Sequence, residues 1–162
     1  MKCYPIAVKI NDKKAIVAGG GKIATRKALS LISAGACVTV IAPETTERLR
    51  GLVKMGRIKW VRRLVKRQDV KSAYMVIAAT SDKLVNREVS AWAREERMLV
   101  NAVDDPKWSN FVSPAVLKKK RAIVAVYTDG RDPVLSRDLK NFLKEHWDVF
   151  LSYRNRPQNS AH

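Results

Sequence analysis

The 162-residue chain carries 32 Lys and Arg against 15 Asp and Glu, a formal net charge of +17, which points to an anionic partner without saying which. Its two cysteines, Cys3 and Cys37, make neither a disulfide framework nor a metal-ligand spacing, and two histidines argue against a multi-histidine metal site. No apolar run approaches the ~20 residues a membrane span needs. The opening Met1-Lys2-Cys3-Tyr4-Pro5 lacks the apolar core of a secretory signal, so a reducing cytoplasm is the expected compartment.

Strand and helix patterns then alternate. Lys14–Ala18 reads as a buried strand, followed by a helix over Lys22–Ala34 that Gly35 stops. Cys37–Ala42 is a continuous apolar run, as a central parallel strand requires. A helix over Thr45–Met55 closes at Gly56. Ile58–Arg62 is a short alternating strand carrying Trp60, and Tyr74–Thr80 is another buried strand. Leu84–Glu96 is amphipathic, and Leu99–Val103 is the last strand of this series. Such alternation predicts an α/β fold, a Rossmann-type doubly wound parallel sheet with right-handed crossovers, over residues 1–112. After Asp105-Pro106 the pattern changes. Two strands, Phe111–Leu117 and Ala122–Thr128, flank the basic run Lys118–Arg121, and a helix is expected from Val134 to about Tyr153. Two strands and a helix are too few for an independent core. Residues 113–153 are therefore expected to form a small α+β region that packs on the first domain or on a second copy of itself. The polar tail 154–162 is expected to be disordered.

The first strand runs into Gly19-Gly20-Gly21-Lys22-Ile23-Ala24. The spacing Gly19-x-Gly21-x-x-Ala24, between a strand and a helix, is the dinucleotide-binding fingerprint. Gly19 permits the tight turn, Gly21 lets backbone approach a pyrophosphate, and Ala24 lets helix and strand pack. The helix N-terminus offers free N–H groups and partial positive charge. An acidic residue is usual at the end of the second strand, but Ala42 stands there, with Glu44 slightly later. Arg48 reads either as a 2′-phosphate partner or as an exposed helical residue. Ala78-Ala79-Thr80-Ser81-Asp82 ends the strand beginning at Tyr74, where small residues admit a nicotinamide ribose and Ser81 and Asp82 can cap the next helix. Val100-Asn101-Ala102-Val103-Asp104-Asp105 ends at the same edge. Of Asp104 and Asp105, at most one faces a site as general base, and turn capping before Pro106 accounts for the other. The basic run 118–121 lacks interleaved aromatics and reads as a solvated hairpin tip, which disfavours nucleic acid. His146 and His162 have no partner at metal or triad spacing.

These pieces fit together in one pattern. The chain resembles the precorrin-2 dehydrogenases of the siroheme pathway, including the N-terminal half of fused siroheme synthases. The likeness runs through Tyr4-Pro5-Ile6, Gly19–Lys27, Ala34-Gly35-Ala36, Val38-Thr39-Val40, Ile77–Thr80 with Asn86, Val100–Asp104, Pro114-Ala115 and Thr128–Leu135, ending near Glu145. The resemblance implies NAD-dependent oxidation of precorrin-2 to sirohydrochlorin by a homodimer whose second region forms the dimerisation unit. It implies NAD contacts at Lys22 and Ile23, beside Gly19, Gly20 and Gly21, at Pro43 and Glu44, and near Thr80. It implies Asp104 as the key carboxylate, used also for iron chelation in bifunctional members. Asn101, Thr128, Gly130 and Arg131 are the expected substrate contacts, with Arg137 and Lys140 as further cations for carboxylate arms. No metal-binding residues are expected, and a +17 chain attracts a polycarboxylate tetrapyrrole at long range.

The chain departs from relatives at Tyr127, Asp129 and Asp132, which replace smaller residues around Gly130 and Pro133. Many relatives continue into a C-terminal helical domain, of which this sequence holds little, so ferrochelatase activity stays open. The alternative reading is a non-catalytic nucleotide-sensing module that binds a protein partner through its basic face.

Overall fold

The computed structural model describes residues 3–71, 73–120 and 122–154. The chain divides into two compact units, one spanning residues 5–112, the other running from residue 113 onward together with the first residues of the chain.

In the first unit, five strands form one parallel sheet: β1 (Lys14–Ala18), β2 (Cys37–Ile41), β3 (Lys59–Val61), β4 (Met75–Ala78) and β5 (Leu99–Ala102), in the order β3-β2-β1-β4-β5. Side chains alternate across the sheet. Ala15 and Val17 of β1 join Val38, Val40 and Ile77 on one face, beneath α1 (Lys22–Ile32) and α2 (Glu47–Lys54), which contribute Ala24, Ala28, Leu31 and Leu49. Ile16, Ala18, Val76 and Val100 face the other way, beneath α3 (Arg67–Val70) and α4 (Lys83–Glu95), which contribute Val70, Val89 and Ala93. Helices cover both faces, so the doubly wound Rossmann-type sheet expected from the alternation is the fold observed.

The differences in detail have local causes. α1 ends at Ile32 rather than Ala34, because the Ala34, Gly35 and Ala36 N–H groups turn back onto Leu31 and Ile32 carbonyls around Gly35 at φ +84°. α2 starts at Glu47 because the Thr46 side chain caps it, accepting from Leu49 N at 3.3 Å. α3 has only four residues and no hydrophobic period to betray it. It is held instead by Asp69, which accepts from both Arg63 guanidinium nitrogens at 2.7 and 2.6 Å and from Lys66 N at 2.7 Å. The Arg63 hydrogen bond is the main reason the Asp69 carboxyl sits below its ordinary range.

The second unit holds an antiparallel pair, β6 (Ala115–Lys119) and β7 (Ala122–Val126), then α5 (Pro133–Glu145) and α6 (Trp147–Arg154). β6 begins at Ala115 rather than Phe111, since Pro114 has no N–H to donate to a ladder. The helix expected over 134–153 is two helices broken at His146. The His146 Nδ1 lies 3.0 Å from the Phe142 carbonyl and competes for an acceptor the last turn needs. Arg154 ends α6 and so departs from the expected tail, while 155–162 lie outside the described residues, as does Arg121 of the basic run.

Candidate active site

The carboxyl ends of β1, β4 and β5 lie side by side. Ala79 N donates to Ala18 O at 2.8 Å and Val103 N to Ala78 O at 3.0 Å. Connections leave β1 toward β2 and β4 toward β5, so the strand order reverses here. This is where open α/β sheets bind ligands.

The three glycines at this edge play two different parts. Gly19 sits at φ +121°, and a Cβ there would lie 2.1 Å from the Ala79 carbonyl oxygen. A Cβ on Gly20 would lie 1.9 Å from Glu44 O. Both residues are thus required by the protein's own backbone. A Cβ on Gly21 would meet nothing within 4 Å, so the turn opens onto free space at that residue. Gly21 also caps α1 without any side-chain hydrogen bond, and no acidic residue stands in the first turn, whereas α2, α4 and α5 are capped by Thr46, Asp82 and Asp132. Free N–H groups facing open space at a helix N-terminus fit a pyrophosphate. Lys22 and Ile23 are exposed there, and Ala24 is buried against the sheet. Further along α1, burial, with Arg26 beside it, pulls the half-buried Lys27 ammonium down to about 8.

The loop after β2 is fastened to this turn. Thr46 N donates to Gly20 O at 3.1 Å, and Thr25 Oγ1 lies 2.8 Å from Thr46 Oγ1 and donates to Gly21 O at 2.9 Å. Neither threonine stood out in the sequence, because their contact depends on α1 and α2 lying together. Pro43 and Glu44 are exposed on this loop, Ala42 is buried, and Arg48 is an exposed α2 residue.

Beyond β4, Thr80 donates through N at 3.0 Å and Oγ1 at 2.8 Å to Asn86 Oδ1. Asn86, on α4, donates through Nδ2 to Asp104 Oδ1 at 3.1 Å. The Asp82 side chain caps α4, accepting from Leu84 N at 2.8 Å. Asp105 accepts from Lys107 N at 2.9 Å and opens a 3-10 turn over Pro106–Trp108. The two neighbouring acids are thereby distinguished: Asp105 caps a turn, and exposed Asp104 is tied to the β4 edge. Asn101 is buried, and its Nδ2 donates to Ser109 Oγ at 3.3 Å and Phe111 O at 3.2 Å, bracing the 109–111 loop on β5.

In the second unit, residues 127–133 make the tight turn that starts α5. Gly130 sits at φ +72° and Asp129 at φ +54°. Thr128 Oγ1 donates to Asp132 O at 2.6 Å, and Arg131 N donates to Thr128 O at 3.0 Å. The Arg131 side chain is 83% exposed, with Asp129 3.9 Å away. The departures also have local roles: Asp132 caps α5 at Leu135 N, 2.7 Å, and the Tyr127 phenol donates to Cys3 Sγ at 3.4 Å. That bond, with burial and the nearby Asp129, pushes the phenol up to about 12. Among the described residues, no group of three or more His, Cys, Asp or Glu side chains is placed to hold a metal ion, and no helix is long and apolar enough to cross a membrane.

The sheet order and the open glycine turn define a dinucleotide-binding α/β protein, and residues 6–115 match the family model described as "Putative NAD(P)-binding". The chain is 33% identical over 135 residues to the precorrin-2 dehydrogenase of Bacillus subtilis, covering 83% of each chain. It is 37% identical over 144 residues to siroheme synthase 3 of Aeromonas hydrophila and 39% over 140 residues to the siroheme synthase of Methylobacillus flagellatus, covering 89% and 86% of this chain. It spans only 31% and 30% of those two longer relatives. The solved structure of SirC, a precorrin-2 dehydrogenase, superposes with a TM-score of 0.80 at 26% identity, covering 94% of this chain and 75% of that one. The chain belongs to the precorrin-2 dehydrogenase family.

Proposed function

We propose that this chain is an NAD-dependent dehydrogenase that oxidises precorrin-2 to sirohydrochlorin. The observation that carries the reading is the single sheet edge that holds both an uncapped glycine turn open at Gly21 and an exposed, anchored Asp104 carboxylate. When bound, the nicotinamide supplies the hydride acceptor. The residues present fit it. The N–H groups following Gly21, at Lys22 and Ile23, would hold its pyrophosphate, with Pro43 and Glu44 on the adenosine side and Thr80 on the nicotinamide side. Gly19 and Gly20 shape the turn from within. Asp104 accepts the proton that substrate oxidation releases, at the carboxylate oxygen Asn86 leaves open. Arg131 pairs with substrate carboxylates, with Thr128 and Gly130 setting the turn that carries it and Asn101 bracing the Asp104 strand. The +17 charge steers a polycarboxylate toward the protein.

Two further parts of the reading concern assembly and place. The exposed face of the β6–β7 pair carries Val116 and Ile123, and Phe142, Val149 and Phe150 are exposed on α5 and α6. A two-stranded sheet with one helix layer is too small to leave such a surface in water, and a second copy of the chain covers it. The compartment is the cytoplasm. Incubating the purified protein with precorrin-2 and NAD tests the function: the sirohydrochlorin spectrum and stoichiometric NADH are expected. NAD binding with no oxidation would overturn it in favour of a nucleotide-sensing module.

A further inference from the structure

We infer that Asn86 is the positioning residue for Asp104, fixing the carboxylate so that one oxygen is anchored and the other is presented to substrate. The inference rests on the proposed role of Asp104 as the base. Asn86 is 1% exposed, and its amide is fully used. Its Oδ1 accepts from Thr80 N and Thr80 Oγ1 at 3.0 and 2.8 Å, and its Nδ2 donates to Thr80 O at 3.2 Å and to Asp104 Oδ1 at 3.1 Å. Both amide donors are thus committed, and the Thr80 hydroxyl proton is shared between Asn86 Oδ1 and Asp82 O, 2.9 Å away.

Thr80 also dictates which way the amide points. Flipping it would set NH2 against the Thr80 N–H and leave the carbonyl oxygen facing both the Thr80 carbonyl and the Asp104 carboxylate. A Thr80 N–H left without its acceptor and two acceptor–acceptor contacts in a buried site exclude that arrangement. The backbone end of β4 therefore orients Asn86, and Asn86 orients a carboxylate at the end of β5. Among the described residues Asp104 Oδ2 has no hydrogen-bond partner. A base held by a single donor on one oxygen keeps the other in one direction, which is what proton abstraction from a large substrate needs.

Asn86→Asp is the informative variant, since it keeps the shape and the acceptor side toward Thr80 but removes the Nδ2 donor that serves both Thr80 O and Asp104. We expect kcat to fall about 10- to 100-fold, with the substrate KM and the NAD dissociation constant within about threefold of the parent. In an Asp104→Asn background the same change should cost little more, because its effect runs through residue 104. An equal loss in both backgrounds overturns the inference. A second readout needs no turnover. The slowly exchanging Asn86 side-chain NH2 signals in a proton–nitrogen NMR spectrum, identified by their loss in Asn86→Asp, should shift on Asp104→Ala; unchanged signals also overturn it. If the parent fails to oxidise precorrin-2, the reading of Asp104 as its base fails, while the NMR arm still decides whether Asn86 holds residue 104.

Discussion

In residues 5–112 each sheet face is covered by helices, and Val17, Val40, Val76, Val89 and Val100 are all fully buried. From residue 113 onward only Leu117, Val126 and Ser136 are buried among the described residues, while Ile123, Val134, Phe142, Val149 and Phe150 are more than half exposed. A parallel sheet wound on both sides closes its own core. A hairpin with helices on one face does not, and its other face leaves Val116 and Ile123 exposed. The first unit therefore encloses a core of its own beneath the candidate site, and the second buries very little.

That contrast can be broken from the scaffold side first. Gly19→Ala should cost about 3–5 kcal/mol and give little folded protein, because the Cβ strikes the β4 edge at 2.1 Å and the backbone sits at φ +121°. Gly21→Ala should fold with a melting temperature within about 2 °C of the parent and bind NAD at least about 10-fold more weakly, measured by nucleotide fluorescence titration. A well-folded Gly19→Ala, or a Gly21→Ala with unchanged NAD affinity, would contradict the division of labour among the glycines.

From the other side, Ile123→Asp places a charge on a side chain 69% exposed on β7. If the proposed interface between two copies lies on this face, the far-ultraviolet circular dichroism should stay unchanged while sedimentation shifts from dimer to monomer. A variant that remains a dimer would remove this face from the interface.

The smallest effect sharpens the account of the scaffold itself. Burial, with the Arg26 charge beside it, pulls Lys27 down to about 8 from its ordinary 10.5. Between those values the unfolded chain binds the extra proton, so stability should rise as pH increases from about 8 to 10.5. Lys27→Met should flatten that rise and add on the order of 1 kcal/mol near pH 7, read by urea denaturation across the range. A pH dependence identical to the parent's would show that Lys27 is solvated.

Buried parallel strands read as unbroken apolar runs, so Cys37–Ile41 and Met75–Ala78 announced themselves, and the glycine turn fell in its strand–helix context. What stayed hidden depends on adjacency rather than on pattern. Four-residue α3 is held by an ion pair from outside itself, and Thr25 and Thr46 meet across two helices. The choice between Asp104 and Asp105 turned on which one a backbone N–H claims as a cap, and Asp105 is the one claimed. Asn86 was visible as a motif residue, but its purpose appears only once β4 and β5 lie side by side.

On the proposed reading, one sheet edge binds the nucleotide at Gly21 and takes the proton at Asp104, as two separable tasks. Measuring NAD affinity and precorrin-2 turnover on Asp104→Asn tests it most directly. An NAD dissociation constant unchanged within about twofold and a turnover lower by about 10²- to 10⁴-fold are expected. Turnover at the parent's rate, or NAD affinity lost together with activity, would contradict it.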